Sequence, residues 1–392
     1  MMIDKLNIIF NERFSCNPED SYSSPGRINI IGEHTDYNLG FVLPAAIDRY
    51  ITGSFKKNNV GLIRVFSADF NEYCEFKITD RVAPEMLWSK FVYGVAQEIV
   101  KKIADPRITT GIAFDCVFGG DIPLGAGLSS SAALENLFSF AINDLYRLNL
   151  SKEDLILIGQ ATEHNYIGVN CGIMDQFASM MGREGSVLKL DCRSLDFSYL
   201  LFDNDKVRIV LFDTKVKHSL ASSEYNIRRL ECEKSVSILK EFFPVISSLR
   251  DLSMDQIEQY KDSLPDILYR RCSYVAEENA RLLMVCDALG NSDYITFGKL
   301  ICQSHKGLRY KYQVSCEELD FLADAAENFD GCYGARMMGG GFGGCTICFV
   351  RPDVEEVFTK ELSESFYNKY GTLPDCIDVN IGKGTHKISQ QP

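Results

Sequence analysis

The sequence has no surplus of basic residues and no long apolar run. Its 41 Lys and Arg face 54 Asp and Glu, which gives a net charge of −13 and a pI of about 5.0. Nonspecific nucleic-acid binding depends on basic side chains that neutralise phosphates, so this balance argues against it. A small anionic ligand is still compatible, because a positive pocket can sit in an acidic protein. No stretch approaches ~18 consecutive apolar residues, and we expect no transmembrane helix.

The first residues lack the apolar core of a secretory signal, because MMIDKLNIIFNERF carries charges at Asp4, Lys5, Glu12 and Arg13. We therefore expect a cytoplasmic protein whose 14 cysteines are reduced thiols, many of them buried as small apolar side chains. Paired CxxC…CxxC spacings, typical of structural zinc, do not occur, so no zinc site is expected. Internal repeats and low-complexity segments are also absent.

The chain has 392 residues, enough for about two domains with a substantial core. Strand-like segments come first, a helix-rich middle follows, and strand-like segments return. This order favours an α+β fold in two lobes over one doubly wound sheet. We place the boundary near residue 200, with lobes 1–200 and 201–392, and leave open whether the last strand returns to the first lobe. The patterns predict helices at 3–14, 86–103, 128–148, 151–168, 353–370 and through most of 225–289, and strands after the turn SPG at 27–31 and at 41–57, 61–77, 111–120, 187–195, 206–214, 331–350 and 375–381.

A glycine- and serine-rich loop, PLGAGLSSSAALE, opens one predicted helix. Gly125 and Gly127 permit backbone turns that are closed to residues with a Cβ. Ser129 to Ser131 stand at the helix start, where free N–H groups and the helix dipole form an anion site, and where hydroxyls can coordinate Mg²⁺. A plain serine N-cap after a glycine turn explains the loop equally well.

The familiar nucleotide-binding motifs do not fit. The loop has no lysine, so it is not a Walker A motif. Gly339, Gly341 and Gly344 match GxGxxG, but the strand-like CTICFV follows them instead of a helix, which argues against a dinucleotide site. These glycines indicate backbone packed tightly against another segment or against the edge of a ligand, and the sequence leaves both open.

The apolar stretch RINII runs into a dense polar group, GEHTDYN. Ionised carboxylates such as Glu33 and Asp36 accept hydrogen bonds in fixed geometry, as recognition of a sugar's hydroxyls requires. Three further polar residues stand near apolar or glycine-containing segments. Taken singly they have ordinary explanations: a solvated helix end for Glu163, dipole stabilisation for Asp175 in a first helical turn, and a helix-start aromatic for Tyr225.

Together these segments resemble a known family. GRINIIGEHTDYNLGFVLPAAID, CGIMDQ and SSEYNIRR are similar to galactokinase motifs. GDIPLGAGLSSSAALE and GARMMGGGFGGCTICFV resemble motifs of the wider superfamily of galactokinase, homoserine kinase, mevalonate kinase and phosphomevalonate kinase. The similarity runs from about residue 20 to the C-terminus. It implies an N-terminal lobe like ribosomal protein S5 domain 2 and a ferredoxin-like C-terminal lobe, with ATP and sugar meeting in the cleft between them.

The resemblance also implies roles for individual residues. Asp175 would face the anomeric hydroxyl of the sugar with Arg27 beside it, and either Ser131 or its neighbour Ser130 would hold Mg²⁺ with Glu163. Ser67 would lie near the nucleotide. The implied sugar-binding residues are Glu33, His34, Thr35, Asp36, Gly172 and Tyr225. The implied triphosphate-binding residues are Gly125, Ala126, Gly127, Leu128, Ser129, Ser130 and Ser131.

The function expected from this resemblance is phosphorylation of the anomeric hydroxyl of galactose by MgATP, giving galactose 1-phosphate and ADP, in a monomer without nucleic-acid or membrane partners. Rival functions are an N-acetylgalactosamine kinase, another small-molecule kinase of the superfamily, and a non-catalytic sensor of galactose and ATP. The intact SSSAALE segment, with Asp175 and Arg27, weighs against the sensor. Whether Asp175 removes a proton or only orients the hydroxyl stays open.

Overall fold

The computed structural model describes residues 2–216 and 221–389. The α-helices are α1 (Met2–Phe14), α2 (Leu87–Ile103), α3 (Pro106–Thr109), α4 (Ser130–Tyr146), α5 (Lys152–Thr162), α6 (Met174–Met181), α7 (Ala221–Leu239), α8 (Met254–Gln259), α9 (Asp266–Gly290), α10 (Tyr294–Lys306), α11 (Glu317–Glu327) and α12 (Glu355–Tyr370). The β-strands are β1 (Asp20–Asn29), β2 (Phe41–Val42), β3 (Pro44–Lys57), β4 (Ile63–Ser67), β5 (Glu72–Phe76), β6 (Phe114–Gly120), β7 (Ser186–Asp191), β8 (Phe197–Leu201), β9 (Arg208–Asp213), β10 (Cys332–Met337), β11 (Cys345–Val350), β12 (Asp375–Val379) and β13 (His386–Lys387). The predicted α+β class is confirmed. None of the helices in these ranges has both the length and the apolar character that a membrane span requires.

The first part of the chain builds a six-stranded sheet in the order β13-β1-β3-β6-β4-β5, and a small sheet of β2, β7 and β8. Strand β3 lies between β1 and β6 and pairs antiparallel with both. Helix α1 packs on this sheet through Leu6 and Phe10, which contact Phe66 and Val117. Helix α4 packs on β1 and β3 and therefore brings its serine-rich start close to the end of β1.

The segment SPG before RINII is not the turn that the sequence predicts. It lies inside β1, where Pro25 pairs with Tyr50 and the register shifts between Pro25 and Arg27. This is a β-bulge, a common place for a proline and a glycine within a sheet, since a bulge needs one fewer ladder hydrogen bond. An added Cβ on Gly26 would approach the carbonyl oxygen of Leu128 to 2.7 Å, so the bulge presses against the serine-rich loop.

The second sheet has the order β10-β11-β9-β12 and alternates its side chains between two apolar layers. Helices α11 and α12 cover one face, and the other face joins the core that continues into the six-stranded sheet. The only CxxC spacing in the sequence, Cys345 and Cys348, lies within β11, and the two thiols point into different layers. A strand places residues three apart on opposite faces, which separates the pair as metal ligands.

The end of the chain serves both sheets. Strand β12 pairs with β9 in the four-stranded sheet, and β13 pairs with β1 in the six-stranded sheet. The division near residue 200 stays a prediction. Strand β8, and helices α10 and α11 within residues 290–330, are elements for which no pattern is predicted above.

Candidate active site

Segments that are distant in the sequence meet around one polar cavity of about 450 Å³. The turn after β1 and the start of α6 form two of its walls. Helix α7 and the glycine loop between β10 and β11 close it from the other half of the molecule. Most predicted site residues line this cavity: Arg27, Glu33, His34, Asp36, Ser131, Glu163, Gly172, Asp175 and Tyr225.

Arg27 forms a bidentate ion pair with Asp175, with hydrogen bonds from Nε to Oδ1 at 2.7 Å and from Nη2 to Oδ2 at 2.8 Å. Its Nη1 donates to the carbonyl oxygen of Gly127 at 2.6 Å. The Arg27 side chain is 6% exposed and that of Asp175 is 29% exposed, so the guanidinium lies behind a carboxylate that faces the cavity. Burial lowers the pKa of Arg27, but Asp175 and then Glu33 raise it, and the net pKa lies above its ordinary value. Arg27 therefore stays charged and connects Asp175 to the glycine-serine loop.

Asp36 begins a 3₁₀ turn, Asp36–Asn38, which follows left-handed backbone at Gly32 (φ 98°) and His34 (φ 62°). Its carboxylate lies directly against the Cα of Gly172, and any Cβ at that position would overlap it. Burial, and then repulsion by Asp175, raises the pKa of Asp36 to about 7. Gly172 thus provides the space in which Asp36 reaches the cavity.

Glu33 is almost fully buried, and its Oε1 accepts hydrogen bonds from the backbone N–H of Gly339 at 2.8 Å and from Arg336 at 3.1 Å. Arg336 is itself fully buried and also donates to the carbonyl oxygens of Asn29 and Ile30. It therefore fastens the end of β1 to β10 in the other sheet.

The predictions above missed Arg336. A signal was present, because an arginine inside the otherwise apolar strand CYGARM must find acceptors when the strand is buried. The acceptors it finds come from residues about 300 positions earlier, so no local pattern identifies them.

Both ring nitrogens of His34 are already engaged within the protein. Nδ1 lies 2.8 Å from the hydroxyl of Tyr37, and Nε2 lies 3.2 Å from the carbonyl oxygen of Gly340. Burial lowers the pKa of His34 to about 3, so the ring is neutral. The ring of Tyr225, centred 5.3 Å away, completes this aromatic side of the cavity.

Thr35 is placed differently from the prediction. It is fully buried and does not line the cavity. Its hydroxyl lies 2.7 Å from the carbonyl oxygen of Gly32 and 2.6 Å from that of Phe41. Because these carbonyls take its only proton, Thr35 shapes the turn that presents its neighbours instead of facing a ligand.

The glycine-serine loop has the left-handed turns that its glycines predict, with φ of 82° at Gly125 and 74° at Gly127. Ala126 and Leu128 point into the core and anchor it. Ser129 is the N-cap of α4, but its hydroxyl donates to Oδ2 of Asp175 and makes no side-chain cap bond. The simple N-cap interpretation is therefore wrong, and the Ser129 side chain is directed at Asp175.

A second, mostly apolar cavity of about 740 Å³ adjoins the first. It contains Trp88, Phe118 and Ser130, and the two cavities share Leu87, Phe91 and Ser131. Its aromatic lining was not predicted, because these side chains come from a helix and a strand that read only as core.

Ser67 does not line this second cavity. It is buried at the end of β4, and its hydroxyl oxygen lies 3.5 Å from the N–H of Phe70 in the following turn. The residues of that turn and of the next strand reach the cavity instead, through Asp69, Phe70 and Glu72. Ser67 therefore supports the turn.

Glu163 is not the solvated helix end that a lone carboxylate suggests. It lies buried where α5 passes into a π-helical turn, Glu163–Ile167. Burial raises its pKa to about 7, while a hydrogen bond with Ser131 lowers it and Asp175 raises it further. Neither of these neighbours is a cation, so the site suits an added positive charge. In the part of the chain that the structure describes, no group of three or more His, Cys, Asp or Glu side chains could hold a metal unaided.

The comparisons with known proteins first define a class. Residues 90–183 match the model of the GHMP kinases N terminal domain, and residues 286–368 match that of the GHMP kinases C terminal domain. The crystal structure of the Methanococcus jannaschii mevalonate kinase, 18% identical, superposes with a TM-score of 0.64 over 93% of this chain and 98% of that one. The fold is that of a GHMP kinase, with two joined cavities in its cleft.

The particular family follows from closer matches. Residues 9–57 match the galactokinase galactose-binding signature. A galactokinase from Roseiflexus sp. (strain RS-1) is 38% identical over 97% of this chain and 95% of its own length. The crystal structure of Lactococcus lactis galactokinase complexed with galactose is 33% identical, with a TM-score of 0.93, and the match covers 99% of this chain and all of that one. The chain belongs to the galactokinase family, as its motifs predict.

Proposed function

We propose that this chain transfers the γ-phosphoryl group of ATP to the anomeric hydroxyl of galactose, in galactose catabolism. The observation that carries the proposal is the junction of the two cavities at Ser131. One cavity offers buried carboxylates for hydroxyl groups, and the other offers aromatic walls for a nucleotide base. A sugar beside Asp175 and a phosphate chain along the loop 125–131 would face each other across that junction.

Asp36 and Glu33 are the groups that would read the hydroxyls of the sugar. Oε1 of Glu33 already accepts hydrogen bonds from Arg336 and Gly339, so Oε2 is the oxygen that can accept from a ligand. A buried acceptor left without its hydroxyl partner is costly, so an epimer with a misplaced hydroxyl is rejected.

Asp175 is the residue we assign to the reacting hydroxyl. In the reaction a bond forms from the anomeric oxygen to the γ-phosphorus, the bond from that phosphorus to the β,γ-bridging oxygen breaks so that ADP leaves, and the hydroxyl proton passes to Asp175. Oδ2 accepts from Arg27 and Ser129, whereas Oδ1 accepts from Arg27 alone and keeps a lone pair for the sugar. A carboxylate paired with arginine is a weak base, which suffices if the proton departs late, after the new bond has formed.

Mg²⁺ fits the remaining groups. Ser131 and Glu163 supply one hydroxyl and one carboxylate, and magnesium commonly completes its shell with substrate phosphates and water. When bound, the ion neutralises charge on the phosphates. We assign the protein's hydroxyl ligand to Ser131 and not to Ser130, because Ser131 bonds Glu163 and lines both cavities. A monomer acting in the cytoplasm completes the proposal.

A coupled assay of ADP release tests the function, with galactose, N-acetylgalactosamine, glucose and mevalonate as acceptors. ADP from galactose alone supports the proposal. Release with N-acetylgalactosamine at equal efficiency would replace it with the rival sugar kinase, which the galactokinase relatives do not favour. Galactose binding without ADP release would identify a sensor.

A further inference from the structure

A chain of hydrogen bonds runs through the buried wall behind His34. Nδ1 of His34 lies 2.8 Å from the hydroxyl of Tyr37, which lies 2.7 Å from the hydroxyl of Tyr312. The thiol of Cys232 lies 3.2 Å from the same Tyr312 hydroxyl. The members come from the turn after β1, from the π-helical turn Gly307–Tyr312 after α10, and from α7. The chain therefore joins the polar turn to two helical segments of the other half of the molecule.

The Gly340 end of this hydrogen-bond chain determines which atom donates in each of its bonds. The carbonyl oxygen of Gly340 can only accept, so Nε2 of His34 carries the ring proton. In a neutral ring Nδ1 must then accept, and Tyr37 donates to it. The Tyr37 oxygen accepts in turn from Tyr312, whose oxygen accepts from the thiol of Cys232.

Burial and nearby arginines keep the ring of His34 neutral, and two tyrosine rings pack against it. Burial first, and then Arg228, Arg271 and Arg336, lower its pKa to about 3. The ring centres of Tyr312 and Tyr225 lie 4.9 Å and 5.3 Å from that of His34. The ring is thus packed between the rings of Tyr312 and Tyr225, which restricts its rotation.

We propose that Tyr37 and Tyr312, with Cys232 at the far end, are positioning residues that act together with the Gly340 carbonyl to hold His34 as the Nε2–H tautomer, and so present a hydrogen-bond donor to an oxygen of the sugar. Gly340 lines the polar cavity, and its bond from Nε2 is long at 3.2 Å, so a sugar oxygen can share this N–H. The other tautomer would turn a lone pair toward the carbonyl oxygen of Gly340, which repels it, and would leave the sugar without this donor. The proposal rests on the proposed function only for the identity of the sugar.

Kinetics of single-atom variants test the chain. We expect Tyr37→Phe to raise the KM for galactose about tenfold, Tyr312→Phe a few-fold, and Cys232→Ala about twofold, because each successive loss lies further from His34. The KM for ATP and kcat should stay within about twofold of the parent, since the phosphate side is untouched. Cys232→Ser, which restores an O–H donor, should return the galactose KM to the parent value. Unchanged galactose KM in both tyrosine variants would overturn the proposal.

The tautomer itself is measured by nitrogen NMR of protein carrying ¹⁵N-labelled histidine, with His34 assigned by its loss in His34→Gln. The parent should show a protonated Nε2 and a bare Nδ1, and Tyr37→Phe should show a mixture of tautomers. A protonated Nδ1 in the parent would overturn the proposal. This measurement needs no turnover, so a failure to release ADP from galactose would refute the proposed function and leave the proton arrangement to be judged separately.

A matched control separates positioning from general loss of stability. Tyr22 is also fully buried, and its hydroxyl bonds Asp144 at 2.7 Å outside the polar cavity. Tyr22→Phe should lower the melting temperature but leave the galactose KM and the His34 signals unchanged. An equal rise in galactose KM in Tyr22→Phe would show that the effect is only structural and would refute the proposal.

Discussion

The carboxylates of the polar cavity differ in how far their surroundings stabilise the negative charge. Asp175 holds a two-pronged ion pair with Arg27, whereas Asp36 faces Asp175 across the cavity and has its pKa raised to about 7. The sequence identified both residues, because their motifs are local and specific. It did not reveal that Ser129 donates a hydrogen bond to Asp175, because that contact forms only where the starts of two helices, α4 and α6, meet.

Replacing Asp175 separates binding from chemistry. We expect Asp175→Asn to change galactose affinity by no more than about tenfold, because the amide still accepts a hydrogen bond, and to lower turnover by roughly 10²–10⁴. Calorimetric titration with galactose and the ADP-release assay measure the two effects. Turnover close to the parent would remove Asp175 from the reaction.

We expect the ionised side chain of Asp36 to lower the stability of the folded protein near neutral pH, while it contributes to sugar binding. Its folded pKa of about 7 exceeds the ordinary value of 3.8, so its stabilising contribution is complete below about pH 4 and is lost as pH rises through about 7. Asp36→Asn should therefore be more stable than the parent at about pH 8, on the order of 2 kcal/mol, with the difference shrinking toward pH 4. Galactose affinity should fall.

Thermal unfolding across this pH range, followed by circular dichroism, measures that difference. The exposed Asp262, changed to Asn in the same way, is the control and should show no such trend. A stability difference for Asp36→Asn that stays constant with pH would contradict the prediction.

Among the elements, the glycine loop between β10 and β11 shows why so many glycines stand together. Gly341 lies against the backbone of Val314 and Gly343 against that of Val216, with no room for a Cβ at either position. Gly339 and Gly341 also line the polar cavity. The question that the sequence left open is therefore answered both ways, since the loop packs on other backbone and forms a ligand-facing edge.

Two glycines of similar conformation separate crowding from backbone strain. Gly341 (φ 84°) is crowded, whereas Gly371 (φ 73°), which ends α12, has nothing near its missing Cβ. We expect Gly371→Ala to cost about 1 kcal/mol and Gly341→Ala several times more, or to prevent folding, because only the second adds a clash. Urea unfolding measures both, and equal costs would show that strain alone matters.

In the whole molecule, the last residues of the chain hold the first sheet. Besides the pairing of β13 with β1, the hydroxyl of Thr385 lies 2.8 Å from that of Ser24 and 3.1 Å from the carbonyl oxygen of Ser179. Strand β1 and helix α6, which carries Asp175, are thus joined by a residue near the C-terminus. The core of the six-stranded sheet also continues into one face of the four-stranded sheet.

Thr385→Val keeps the shape of that buried side chain and removes its hydroxyl. We expect a loss of about 1–3 kcal/mol, since Ser24 loses a buried partner, and a single unfolding transition, since the two sheets share a core. Differential scanning calorimetry tests both statements, with Thr372→Val at an exposed position as the control. Two separated transitions would show that the lobes unfold independently.

The sequence by itself determined the types of most elements, the α+β class and the identity of the groups that line the site, because apolar periodicity and short motifs are properties of neighbouring residues. Tertiary structure alone decided how those groups are used. Arg336 reaches back to Glu33, Tyr312 meets Tyr37, and β13 closes a sheet begun more than three hundred residues earlier. Such contacts follow from how buried polar groups find partners in a packed interior, which the local order of residues does not encode.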